Sequence, residues 1–373
     1  MKIGIITLRL YTNYGGILQA YALQTILKRM GYEVNHIEKV FKPYVPPIWK
    51  RPIIYLKRYI INLIKNKKIF LHNSVNKKER NIIGRYTFDF IHKYITIIEY
   101  PDFAEIPKSE YDVLIVGSDQ VWRPKYFYTK EIGNAYLKFA KRWNIKRIAY
   151  AASFGTKDWE YSDQQTIECS ELIKKFDSVS VRESSAVNLC NDKFGIKAIQ
   201  VLDPTMLLES EDYIRLFENL NIPKNKGNLY CYFLDETEEK KELIKIIAAT
   251  KNLIPFYITP PNNSPNSNSE YKIQPPVEIW LRAFYDAEYV ITDSFHACVF
   301  SILFQKPFII FNNVKRGSER FESLLSMFGL QSCLINKISE IKNVTEPNWE
   351  YINDIIKRHR EKSIKFLLTS IDN

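Results

Sequence analysis

Residues 288–311 read EYVITDSFHACVFSILFQKPFIIF, and this stretch decides the fold. Residues 288–292 are a short apolar β-former, and Asp293 and Ser294 follow as helix-cap types. Residues 295–304 are mostly apolar and long enough for a buried helix. Gln305-Lys306-Pro307 ends it, and 308–311 is a second buried strand. The reading is a strand–helix–strand unit of a parallel sheet. Its Asp-Ser-Phe-His corner lies at the carboxyl end of the first strand, where ligands bind in open α/β sheets. His296 then falls in the first turn of the helix, beside backbone N–H groups suited to an anion. The corner admits two readings. In one, Asp293 or Ser294 only caps the helix and His296 is a satisfied, semi-buried histidine. In the other, the corner is an anion site with a histidine acid or base. The local pattern leaves both open.

Outward from this unit the same alternation repeats. A strand at 228–234, a helix at 238–250, a strand at 254–258 and a helix at 276–286 precede it. A loop rich in Pro, Asn and Ser spans 259–270. A basic loop at 312–318 and a helix at 321–328, closed by Gly329, follow it. At the other end of the chain, a strand at 2–7, a turn-rich loop at 10–16, a helix at 17–30 and a strand at 32–37 make a βαβ unit. Gly15-Gly16 either lets a backbone approach a ligand or simply makes a tight turn. The sequence has neither GxGxxG nor GxxxxGK[ST], so no dinucleotide fingerprint or P-loop is present.

Further strands run into polar residues. Residues 111–116 lead to Gly117-Ser118-Asp119-Gln120-Val121-Trp122, and 147–152 lead to Ser153-Phe154-Gly155. Residues 178–181 lead to Arg182-Glu183, and 199–202 lead to Asp203-Pro204-Thr205. Counted with the histidine corner, five strand ends deliver polar residues to what reads as one rim. The expected organisation is a first domain over 1–205, a second over 206–345, and a helix over 346–373 packing back on the first.

The 373 residues suffice for two α/β domains, and 46 % hydrophobic with 14 % aromatic content excludes a disordered chain. Five scattered cysteines without a CxxC pair argue against a disulfide framework or zinc cluster, and point to a reducing cytoplasm. No signal peptide and no spanning segment are expected. The net charge is +11, and thirteen Lys and Arg against Glu79 and Asp89 between 42 and 93 carry the whole surplus. The basic segment 41–94 therefore reads as a helical insertion on a neutral body. Its mixed apolar, aromatic and basic stretch at 53–65 fits either a solvated face or a contact with an anionic membrane surface.

Taken together, the loops resemble those of the polysaccharide pyruvyl transferase family. The residues that carry the resemblance are Asn13-Tyr14-Gly15-Gly16, Gly117 to Trp122, Ser153-Phe154-Gly155, Arg182-Glu183, Asp203-Pro204-Thr205, Thr292 to His296, Lys306-Pro307-Phe308 and Arg320-Phe321. The resemblance implies a GT-B-like α/β fold, two Rossmann-type domains facing across a cleft. It also implies transfer of the pyruvyl unit of phosphoenolpyruvate onto two hydroxyls of a sugar, forming a ketal for surface polysaccharide or glycan. Phosphoenolpyruvate is consumed as donor, so no bound cofactor and no metal are expected. The sugar acceptor would be lipid-linked if segment 41–94 meets the inner face of the membrane, and no nucleic acid is involved. His296 would act as acid or phosphate ligand, Asp119 as base, and Arg182 with Arg320 as the anion clamp. Gly15, Gly16, Ser118, Trp122, Ser153, Asp293, Ser294, Lys306 and Arg316 would line the substrate. The competing readings are a nucleotide-sugar glycosyltransferase of the same architecture and a non-catalytic membrane-surface protein.

Overall fold

The computed structural model describes residues 1–41, 49, 52–53, 56, 77–127, 131–258, 272–313 and 317–372. Twelve strands are named within them: β1 (Lys2–Ile6), β2 (Glu33–Lys39), β3 (Ile97–Tyr100), β4 (Val113–Val116), β5 (Lys146–Ala152), β6 (Ser178–Val181) and β7 (Ile199–Gln200), then β8 (Leu229–Tyr232), β9 (Pro255–Phe256), β10 (Tyr289–Thr292), β11 (Phe308–Phe311) and β12 (Leu334–Ile335). The first seven form one sheet in the order β3-β2-β1-β4-β5-β6-β7, and the last five a second in the order β12-β11-β10-β8-β9. Every pairing is parallel. The sequence explains this. The runs VLIV, YVIT and FIIF of β4, β10 and β11 are buried at every position, as strands covered on both faces by helices must be.

Each sheet reverses its winding once, between β1 and β4 in the first and between β8 and β10 in the second. At such a point the connections leave towards opposite faces and open a crevice beyond the strand ends. The two crevices face each other across a cleft, in the GT-B-like manner.

Several boundaries differ from the sequence reading. The first helix spans Tyr14–Arg29, so both glycines lie inside its first turn and not in the loop before it. The strand β3, unread in the sequence, pairs with β2, and the helix Arg85–Tyr94 before it buries Phe90 and Ile91. Residues 85–94 therefore belong to the crossover from β2 to β3 and to the core, not to an appended insertion. The stretch 53–65 lies almost wholly outside the described residues. The C-terminal helix spans Trp349–Asp372. It packs back on the first sheet: Leu202 N–H donates to Ser363 Oγ at 3.0 Å, and Lys146 Nζ to the Ile371 carbonyl at 2.6 Å. Among the described residues no helix is long and apolar enough to cross a membrane.

Candidate active site

Asn13 is the N-cap position of the first helix, and it brings Gly15 against the second domain. A Cβ built on Gly15 would stand 1.9 Å from His296 Nδ1, so only glycine admits this helix so close to the histidine. His296 occupies the first turn of the helix Phe295–Leu303, entered from β10 through Ser294. Ser294 Oγ accepts the Ala297 N–H at 3.4 Å, so the serine caps the helix. The first turns of two helices, one from each domain, thus meet at the cleft.

A cleft of about 510 Å³ opens beside this contact. The β1 and β4 loops contribute Arg9, Thr12, Asn13, Asp119 and Gln120, and the first turn of the first helix adds Gly15. Tyr232 at the end of β8, Phe233 and Leu234 after it, and Ser294, Phe295 and His296 after β10 line the facing side with Trp280 and Arg320. These are the loops at the two winding reversals.

Asp119 holds a left-handed backbone, φ 66°, and is bridged to Ala152 in the twisted end of the sheet, where Ala151 is also at φ 51°. Positive φ at non-glycine residues costs energy and collects at functional sites. Asn13 Nδ2 donates to Asp119 Oδ2 at 3.4 Å. Arg182 Nη2 lies 3.7 Å from the other Asp119 oxygen.

Arg182 itself is set one ring back from the cleft. Its guanidinium centre is 4.3 Å from the Phe295 ring centre, and Arg320 approaches the same ring at 5.4 Å. Phe295 and Arg320 line both the cleft and a water-sized void behind it, which Arg182, Glu183 and Asp203 complete. Arg182 Nη1 donates to Asp203 Oδ2 at 2.6 Å, whereas Nε and Nη2 make no hydrogen bond. Burial works against its charge, but Asp203, Asp119 and Glu183 outweigh that and hold its pKa above the ordinary value. Arg320 is pushed the other way, down to about 10, by burial and then by the neighbouring Arg182.

The hub beneath these groups is Asp203, which sequence reasoning placed on the rim but not in the site. Its Oδ1 accepts from Thr205 N–H at 3.0 Å and Thr205 Oγ1 at 2.6 Å. Its Oδ2 accepts from Ser118 Oγ at 3.2 Å and faces His296 Nε2 at 3.7 Å, beyond hydrogen-bond range. Burial raises its pKa, but the His296 and Arg182 partners prevail and hold it well below the usual carboxylate range. Glu183 was also missed; its Oε1 gathers Ser153 Oγ, Phe154 N–H and Gly155 N–H at 2.7, 2.9 and 3.1 Å. Arg9, Gln274 and Trp280 line the cleft without any local signal in the sequence, and Gln120 joins them from the polar end of β4.

The remaining sequence expectations divide sharply. His296, Asp119, Gly15, Ser294 and Arg320 line the cleft, with Ser118 and Ser153 directly beneath it and Gly16 packed on Asn13. Trp122 is instead a core residue, stacked on Tyr136 at 5.1 Å with its indole N–H given to the Ala135 carbonyl at 3.0 Å. Asp293 turns into the second domain and accepts from Leu234 N–H, Asp235 N–H, Lys240 Nζ and Asn313 Nδ2. Lys306 precedes β11, at the opposite edge of a parallel sheet from the cleft, and donates to the Tyr285 carbonyl at 3.0 Å. Arg316 lies outside the described residues. Among the described residues no group of three or more His, Cys, Asp and Glu is placed to hold a metal.

Solved structures share this architecture. UDP-GlcNAc 2-epimerase from Neisseria meningitidis, bound to UDP-GlcNAc, matches over 99 % of both chains at 11 % identity with a TM-score of 0.50. UGT89C1 of Arabidopsis thaliana, complexed with UDP-L-rhamnose, matches over 99 % of this chain and 98 % of its own at 8 % identity with a TM-score of 0.52. At such identities the likeness concerns the fold alone. A search of curated proteins finds no match. The family model described as polysaccharide pyruvyl transferase matches residues 13–315, beginning at the cap of the first helix. The chain is therefore a member of the polysaccharide pyruvyl transferase family, and a transferase.

Proposed function

We propose that this enzyme transfers the pyruvyl group of phosphoenolpyruvate to two hydroxyls of one sugar residue. The observation that carries this reading is the meeting, in one cleft, of a histidine, a strained aspartate and the Arg320 guanidinium, with the Arg182 guanidinium behind the Phe295 ring. Phosphoenolpyruvate brings a carboxylate and a phosphate, which such cations suit, and its chemistry needs an acid and a base.

His296 delivers a proton to the methylene carbon, leaving an oxocarbenium-like centre at the carbon that carries the phosphate. A sugar hydroxyl attacks that carbon while Asp119 takes the hydroxyl proton. The second hydroxyl then displaces phosphate, its proton leaving with the phosphate or the base, and the ketal closes. Arg320 stands in the cleft wall to hold the anion. Arg182, behind Phe295, keeps Asp119 and Asp203 in place and adds positive potential where negative charge must be held. Ser294 orients the helix whose first turn faces the phosphate.

The acceptor is a sugar of a surface glycan carried on a lipid at the inner face of the membrane, with the part of segment 41–94 that precedes residue 85 as the peripheral contact. The basic surplus of that segment motivates the contact. Flotation with anionic vesicles should retain the protein, and no retention on anionic vesicles would remove it. The transfer itself is tested by incubating the protein with phosphoenolpyruvate and lipid-linked galactosyl or N-acetylhexosaminyl acceptors. Acceptor-dependent phosphate release and a product heavier by the pyruvyl ketal are expected. Consumption of a sugar nucleotide in its place would overturn the reading.

A further inference from the structure

The helix Glu319–Phe328, which carries Arg320, belongs by sequence to the second domain but is fastened to the first. Ser323, one turn beyond Arg320, accepts two hydrogen bonds across the divide: from Ser184 N–H at 2.9 Å and from Gln200 Nε2 at 2.9 Å. Gln200 Nε2 also donates to the Arg182 carbonyl at 3.1 Å, and Ser184 lies two residues after Arg182. One hydroxyl therefore ties the Arg320 helix to the Ser184 N–H directly and, through Gln200, to the Arg182 carbonyl. Before the helix, Gly317 at φ 95° lies so close to the Gly155 carbonyl that a Cβ would stand 1.9 Å from its oxygen. Lys157 and Glu319 pair at 3.2 Å beside it.

These fastenings have a cost to oppose. Arg182 and Arg320 share the Phe295 ring, and like charges at such range push apart. A site whose cations are already held together binds a dianion without reorganising.

We propose that Ser323 is a positioning residue: it holds the Arg320 guanidinium beside Arg182 and so sets the affinity of the cleft for the phosphate of its donor. This rests on the pyruvyl-transfer reading for the identity of the donor, though not for the presence of an anion site.

Calorimetric titration of the full chain with inorganic phosphate, and then with phosphoenolpyruvate, tests it. Ser323→Ala should weaken both by about tenfold or more, whereas Ser323→Thr, which keeps the hydroxyl, should bind within about twofold of wild type. In turnover, Ser323→Ala should raise KM for phosphoenolpyruvate and leave KM for the acceptor unchanged, a split that general loosening would not give. Gly317→Ala, which attacks the same fastening from the other end, should weaken phosphate in the same direction. Equal phosphate binding by wild type and Ser323→Ala, or none by wild type, overturns the proposal. Weakened phosphate binding in an enzyme that never consumes phosphoenolpyruvate would uphold it while removing the assigned reaction.

Discussion

Two buried aspartates, Asp203 and Asp293, each follow a strand and each pair with a buried cation at 2.6 Å. In the second domain, Lys240 Nζ divides itself between Asp293 Oδ2 and the Asp235 carbonyl, both at 2.6 Å. Asp293 in turn fills both its oxygens with donors from the β8 loop, the neighbouring helix and Asn313. In the first domain, Arg182 spends one nitrogen on Asp203 and leaves Nε and Nη2 without hydrogen bonds. The same pairing thus ends in a closed clasp on one side and an unfinished one on the other. A buried polar group that is fully matched specifies structure, whereas Arg182 keeps Nη2 and Nε at 3.7 and 3.8 Å from Asp119 and Glu183, and so steers a carboxylate of the cleft wall by charge alone.

The largest effect expected from this difference is on stability, at the closed clasp. Lys240→Met leaves Asp293 as a buried carboxylate without its counter-ion, which costs about 3–5 kcal/mol. Denaturant unfolding should show that loss, while the folded fraction keeps kcat/KM for phosphoenolpyruvate within about threefold. A variant that is fully stable but inactive would place Asp293 in the chemistry after all. The open clasp should behave in reverse. Arg182→Lys keeps a charge for Asp203 but cannot reach Asp119 and Glu183 as well, so turnover should fall by about 10²- to 10³-fold with a small change in unfolding midpoint. If turnover stayed within about tenfold, the unspent donors would carry no function.

A third buried group sharpens the contrast, because burial there meets no opposite charge. His36 on β2 is buried and gives Nε2–H to the Ala20 carbonyl at 3.1 Å. Burial, chiefly, and the charge of Lys28 lower its pKa to about 4 from 6.5. The unfolded chain therefore takes up this proton first as the pH falls. The native state loses stability progressively between pH 6.5 and 4, by about 3 kcal/mol in all, and regains it on return to neutrality. His36→Gln, able to keep the bond to Ala20, should flatten the stability profile in that window. An unchanged slope would show that another group titrates there.

How much of this was written locally can be judged residue by residue. The apolar runs of β4, β10 and β11 and the Asp-Ser-Phe-His corner were legible because burial on two faces and helix capping each leave a short-range pattern. The strand β3 was not, since IIEY alternates weakly at a sheet edge and lies behind a basic stretch that dominated the reading. In the site, His296 and Asp119 could be named from position at a helix start or after a strand, whereas Arg320 entered only through the family resemblance. Asp293 and Asp203 look alike in one dimension, each an aspartate closing a strand. What separates them is which donors arrive from elsewhere: Lys240 from 53 residues away for one, Ser118 from 85 residues away for the other. Lys306 is a different kind of miss, because its place before β11 in a parallel sheet already put it at the edge away from the cleft.

The smallest expected effect tests the contact on which the two halves converge. Gly15→Ala replaces a glycine inside a helix with the best helix former, which by propensity alone favours the fold by about 1 kcal/mol. The added methyl, however, would stand 1.9 Å from His296 Nδ1, and that imidazole is buried and held from behind by its own helix. Something must move, and the imidazole is the softer of the two partners. The expected result is an unfolding midpoint within a few degrees of wild type with a loss of about tenfold or more in kcat, because a displacement of about 1 Å at a reacting group is enough to cost that much. Should the variant turn over phosphoenolpyruvate as fast as wild type, His296 would have freedom to shift without consequence, and the acid would have to be sought elsewhere on the cleft wall.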